Sequence, residues 1–197
     1  MNKNTDIRFL KTQTLINNAF IELMETTGFS KITVKKIIDI AQINRSTFYS
    51  HYLDKFDLLD KIEDNLLMDL KHIALNYHIE ELTSNDFNRD LFDYYIHHIV
   101  NYMYENGKLF ALLIRENGNS GFINKFTNMI KDFWTEKNIN KQLSVPQDYV
   151  FAAMIGMMSN LFIEWIKKDF TESPDEFSNI VMNIIKDIPQ NIFTKKN

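Results

Sequence analysis

With 197 residues, 45% of them hydrophobic, the chain can bury a core as one large or two small domains. It has no Cys, which excludes a disulfide framework or a thiolate metal site, and its five Gly, three Pro and lack of any alternating apolar pattern indicate an all-α protein. The net charge of −4 argues against nucleic acid only as an average: residues 1–61 hold nine Lys and Arg against seven Asp and Glu, so they carry +2 and the remainder −6.

The N-terminus, MNKNTDIRFL, has no apolar leader core, and no apolar run is expected to reach membrane-spanning length. A soluble, cytoplasmic protein with no membrane association is the expectation. A first helix should run from about Thr5 to Thr27, with Leu15, Ala19, Phe20 and Leu23 as its inner stripe and Gly28 just past its end. Thr33 can cap a second helix through Ile40, turning Val34, Ile37, Ile38 and Ala41 inward. Asn44 caps a very short helix, 45–50, packed by Phe48. Asp54 caps the next, and Asp57 lies in its first turn, where a negative charge suits the helix dipole. So short a helix between two strong caps is the layout of a helix-turn-helix, whose second helix enters a DNA major groove.

Beyond Leu70 the polar stretch Glu80–Asp86 is a break, with Ser84 as a cap. An aromatic-rich helix over 87–104 stops at Asn106-Gly107, and a short helix follows to about Arg115. Asn117–Gly121 is a loop, and Phe122–Lys137 is amphipathic. Ser144-Val-Pro-Gln147 reads as the start of a long helix to about Lys168, with Gln147 at the capping-box position. Ser173-Pro174-Asp175-Glu176 starts a last helix to about Ile188, before Pro189.

In the long helix, Ala152, Gly156, Ser159 and Ile163 share one stripe at spacings of four, three and four. Small residues let backbones approach closely, and the rest of the helix is apolar all round, so one side suits the subunit's own core and another a second copy. The alternative is that Gly156 and Ser159 fit a crowded intrachain core.

The run Thr33-Val34, Ile37, Ala41, Ile43-Asn44, Ser46-Thr47-Phe48-Tyr49, His51-Tyr52, Asp54-Lys55 and Leu58-Leu59 resembles the DNA-binding domain of the TetR/AcrR family of transcriptional regulators. Gly28–Val34 fits the same pattern upstream. Two positions depart from it: Gln42 and Ser46 stand where Gly is common, and Gln42 must then take a left-handed turn conformation. The stretch Gly156–Trp165 followed by SPDEF is similar to the family's C-terminal dimerisation region, and more narrowly to its DhaS-like branch.

The resemblance implies a helix-turn-helix head over 1–53, a connecting helix over 54–78 and a helical regulatory and dimerisation domain over 79–197. It implies a homodimer on a palindromic double-stranded operator, most simply a repressor released by a small apolar or amphipathic effector. The alternative is a coactivator or partner-controlled regulator acting through protein contacts. DNA contacts are expected from Thr33, Lys35, Arg45, Ser46, Thr47, Tyr49, His51 and Lys55. Of these, Arg45 offers a fork that matches guanine, while Thr47, Tyr49 and Lys55 suit phosphates; His51 could be contact, cap or neither. The family's ligand pocket would draw on Phe92, Tyr95, Tyr102, Phe110, Phe126, Met129, Phe133 and Met158, although any helical core uses the same residues. No cofactor, metal or catalytic residue is expected. His97 and His98 are adjacent on a helix and point about 100° apart, so they do not converge on a metal.

Overall fold

A computed structural model describes residues 3–76, 89–116, 121–138, 141 and 143–185. Every regular element among them is helical, as expected. The first part holds α1 (Lys3–Thr27), a 3-10 turn (Phe29–Lys31), α2 (Val34–Ala41), α3 (Arg45–His51) and α4 (Lys55–Asn76). The rest holds α5 (Arg89–Glu105), α6 (Gly107–Glu116), α7 (Gly121–Glu136), α8 (Gln147–Lys167) and α9 (Pro174–Ile185). The expected break at 80–86 with Ser84, the loop at 117–120 and the helix end near Ile188 lie outside the described residues.

Two compact units divide the chain, Met1–Leu66 and Leu67–Asn197, and α4 contributes to both. In the first, Ile16, Phe20, Met24, Ile32, Ile37, Phe48 and Leu58 are sealed from solvent. This corrects the expected α1 stripe: Leu15 is 50% exposed and Ile16 is 0%. At 3.6 residues per turn Leu15 lies about 140° around the helix from Phe20, whereas Ile16 lies about 40° from it. Gly28 has φ 76°, a backbone that side chains resist, and its N–H donates to Met24 O at 3.2 Å.

In the second unit, Trp165 of α8 stacks on Phe177 of α9 at 4.1 Å and 7°, and on Tyr104 of α5 at 5.8 Å. Phe170 closes this cluster edge-on at 5.0 Å from Trp165. Its ring packs against Gly107 so closely that a Cβ there would displace it. The capping box of α9 forms as expected: Ser173 Oγ accepts from Glu176 N, and Glu176 Oε2 accepts from Ser173 N at 2.9 Å. Those Ser173 donors hold the Glu176 carboxyl below its ordinary pKa. The start of α8 differs from the expectation, because the helix begins at Gln147 with Pro146 at its cap position, two residues past Ser144. Proline lacks an N–H and carries a preset φ, so it marks the boundary itself.

The α8 helix also corrects the expectation about apolar runs. Its 21 residues are long and apolar enough, by length and composition, to cross a membrane. Within the chain it contributes Val150, Phe151, Ile155, Phe162 and Trp165 to the buried core.

Candidate nucleic-acid interface

The reading helix is built from local hydrogen bonds. Thr33 Oγ1 accepts from Lys36 N at 3.3 Å and starts α2. Gln42 ends it in the left-handed region, at φ 53° and ψ 43°, and Ile43 N reaches back to Ile38 O. That is the 6→1 bond of a Schellman turn, made here without glycine. Asn44 then caps α3 with one oxygen and three donors: Thr47 N at 2.8 Å, Ser46 Oγ at 2.7 Å and Thr47 Oγ1 at 2.7 Å. Asn44→Ala should therefore destabilise the first unit by about 1–2 kcal/mol in urea denaturation, and Asn44→Asp should keep most of that stability. An alanine variant as stable as the parent would mean that this cap does not hold α3.

Packing fixes what α3 can present. Phe48 is buried completely. Tyr52 is buried too, and its hydroxyl donates to Asn17 Oδ1 at 2.9 Å rather than lying at the surface. Burial pushes the Tyr52 phenol up. Arg45 and Tyr49, one turn apart, are exposed beside this packed face. Arg45 Nη2 lies 3.4 Å from the Tyr49 hydroxyl, and its guanidinium carbon sits 5.5 Å from the ring centroid. The pair is an outward-facing platform with a fork of donors and a phenol.

The other expected contact residues separate into groups. Lys35 is exposed on α2, while Lys36 folds back to donate to Lys31 O at 3.0 Å. Thr33 serves its cap. The Ser46 and Thr47 hydroxyls both donate to Asn44 Oδ1, at 2.7 Å each. Lys55 also works within the chain. Its Nζ donates to Phe29 O at 3.0 Å and Ser30 O at 3.3 Å, and sits 4.6 Å from the Phe29 ring centroid. It ties the start of α4 to the 3-10 turn, and nothing in the local sequence signals that.

His51 packs instead of projecting. Its ring stacks on Phe9 at 3.9 Å and 22°, and its Nδ1 is buried without a hydrogen-bond partner among the described residues. Burial first, and the nearby Lys61 second, hold its pKa below the ordinary 6.5. The unfolded chain then binds the proton more readily than the folded one. Stability is complete above pH 6.5 and falls as pH drops through 6.5 toward the folded value. Urea midpoints should decline over that window in the parent and decline less in His51→Gln. Equal declines would assign the acid sensitivity elsewhere. Asp57 acts lower on the scale: Leu53 N donates to it at 2.8 Å, and that bond and Lys61 hold its carboxyl below the ordinary range.

The second unit holds a partly open cavity of about 220 Å³. Phe92, Tyr95, Phe110, Phe126, Met129, Phe133 and Met158 all lie in its wall. Tyr102 does not: its hydroxyl donates to Asp69 Oδ2 at 3.0 Å, and Met103 takes the place in the wall. The small-residue stripe of α8 divides as well. Ala152 is exposed and a Cβ on Gly156 would meet open space, but Ser159 and Ile163 line the cavity. Crowding within the chain therefore does not explain Gly156. His97 and His98 each turn back to a carbonyl four residues earlier, Asp93 O at 3.0 Å and Tyr94 O at 3.2 Å. Among the described residues no group of three or more His, Asp or Glu gathers as a metal site.

Residues 92–187 match the model of a transcriptional regulator C-terminal region of the TetR type. Over those residues, just under half of its length, the chain is similar to transcriptional regulators of the TetR family. A solved TetR-family regulator from Syntrophomonas wolfei superposes with a TM-score of 0.71 at 17% identity, covering 91% of this chain and 95% of the other, a likeness that speaks for the fold. Among curated relatives, the activator of the dhaKLM operon DhaS from Lactococcus lactis is 33% identical over 67 residues, 34% of this chain and 36% of that protein. The HTH-type transcriptional regulator YxbF of Bacillus subtilis, itself uncharacterised, is 19% identical over 177 residues, 86% of this chain. The chain spans 43% of YxbF, so it covers less than half the length of both curated relatives it matches.

Proposed function

We propose that this chain is a TetR-family regulator that binds a near-palindromic DNA operator as a homodimer, represses transcription there, and is released by a small molecule held in the cavity of its second unit. The observation that carries the DNA reading is the exposed Arg45–Tyr49 platform on a short, doubly anchored helix. An arginine fork on such a helix fits the acceptor edge of guanine in the major groove. Lys35 on the neighbouring helix adds positive charge suited to the phosphate backbone. Ala152 of α8 and Ile180 and Ile184 of α9, all exposed, support homodimerisation through these helices. Two heads on a two-fold axis call for half-sites about one helical turn apart, roughly 34–36 Å.

A gel-shift titration of the full chain against its own upstream DNA, with unrelated duplex as competitor, tests this. The expected result is a complex that survives the competitor and footprints as an inverted repeat. Binding no stronger than to the competitor would remove the operator reading. A second reading has the same fold control transcription through a protein partner or as an activator. It is favoured by the 33% identity with the activator DhaS. A reporter behind the bound promoter separates the two: deleting the protein raises expression for a repressor and lowers it for an activator.

A further inference from the structure

The cavity wall has a specific chemical character. Among the described residues, the 24 that line it carry no charge. Its side-chain nitrogen and oxygen atoms belong to Tyr95, Trp134 and Ser159. Tyr95 and Trp134 have interactions of their own, whereas Ser159 Oγ, on α8, makes no hydrogen bond among the described residues. Lys131 reaches one ring of the wall, with Nζ 5.7 Å from the Phe151 centroid, but is not itself part of the wall.

We infer that the cavity takes an uncharged, largely hydrocarbon molecule with one hydrogen-bonding group, and that the Ser159 hydroxyl reads that group. This rests on the reading of the cavity as an effector site and adds the class of effector. An ionised carboxylate or ammonium loses its water on entry and needs several compensating partners, which this wall does not supply. An acid would have to enter protonated. A single hydroxyl both donates and accepts, so an alcohol, ketone or ester oxygen satisfies it equally. The Met and aromatic wall adapts to hydrocarbon of varied shape. The volume exceeds the roughly 150 Å³ dry cavity that holds benzene, so a medium-length chain or a small ring system fits.

The matched pair decanol and decanoate tests the class, each displacing the neutral fluorophore N-phenyl-naphthylamine from the full-length protein. Decanol should compete equally at about pH 6 and about pH 8. Decanoate should weaken by roughly tenfold per pH unit across that range, because only its protonated form enters. Ser159→Ala should weaken decanol by about two- to tenfold while leaving the fluorophore's own affinity unchanged, and Ser159→Thr should retain decanol. A purely structural role for Ser159 would move both ligands together. Decanoate that binds as tightly as decanol at high pH would overturn the class, most clearly if Lys131→Met abolished it. Failure of both compounds and of the fluorophore to bind would overturn the site, as a cavity filled by a second copy predicts. Equal decanol affinity in the parent and Ser159→Ala would overturn the reading residue. None of these outcomes touches the operator titration, which stands or falls separately.

Discussion

On the homodimer proposed above, Gly156→Arg should leave a folded monomer of 23.4 kDa. A Cβ at Gly156 meets nothing within 4 Å in its own subunit, so the larger side chain has room. Replacing a mid-helix glycine also removes backbone freedom from the unfolded chain, which favours the helix by up to about 1 kcal/mol. The cost falls on a partner. A long cation placed where two apolar helices approach must be desolvated without a counter-charge. Once the heads are separated, the second one loses its effective concentration at the operator, and affinity should drop by about 10²–10⁴-fold. Light scattering, circular dichroism and a gel shift read the three consequences separately. A variant that stays dimeric and binds DNA like the parent would move the interface away from this face of α8. A variant that loses helix would show that the position is crowded after all.

The parts of this fold that could be read in advance are those decided within four residues. Thr33, Asn44, Asp54 and Ser173 each cap a helix through a partner two or three positions away, so their roles follow from spacing alone. The left-handed Gln42 follows from its place between two caps. What could not be read depends on where a long side chain travels. Lys55 reaches carbonyls at residues 29 and 30, and Tyr102 reaches Asp69 on another helix. Flexible stems conceal such destinations: the Tyr102 hydroxyl leaves the cavity wall for Asp69, and the Lys55 ammonium has partners within the chain. Phase is a second blind spot. Leu15 and Ile16 are equally apolar neighbours, and the 100° step between them decides which one shares the sealed face with Phe20. Ser159, whose size suggested a helix contact, lines the cavity instead. A cap can also mislead: Ser144 and Gln147 have capping-box spacing, yet Pro146 between them sets the boundary.

The Arg45 platform and the Lys55 tie lead to opposite outcomes for two cations on the same head. Arg45→Ala should lose about 1–3 kcal/mol of operator affinity and relax specificity at one base pair. Its unfolding midpoint should stay near the parent's, because the guanidinium is exposed and its recorded partner is the Tyr49 hydroxyl at 3.4 Å. Tyr49→Phe should weaken binding less, since it removes a hydroxyl and keeps the ring. Lys55→Ala should behave differently. Removing its ammonium takes the donor from the Phe29 and Ser30 carbonyls and uncovers the Phe29 ring, so the head should lose about 1–2 kcal/mol of stability. If the third proton of that ammonium also meets a phosphate, affinity should fall alike for all duplexes and the log–log salt slope should shrink by about one. Lys55→Ala that flattens the salt slope without lowering stability would make it a phosphate contact rather than a tie. Arg45→Ala that binds the operator as tightly as the parent would take α3 out of the groove.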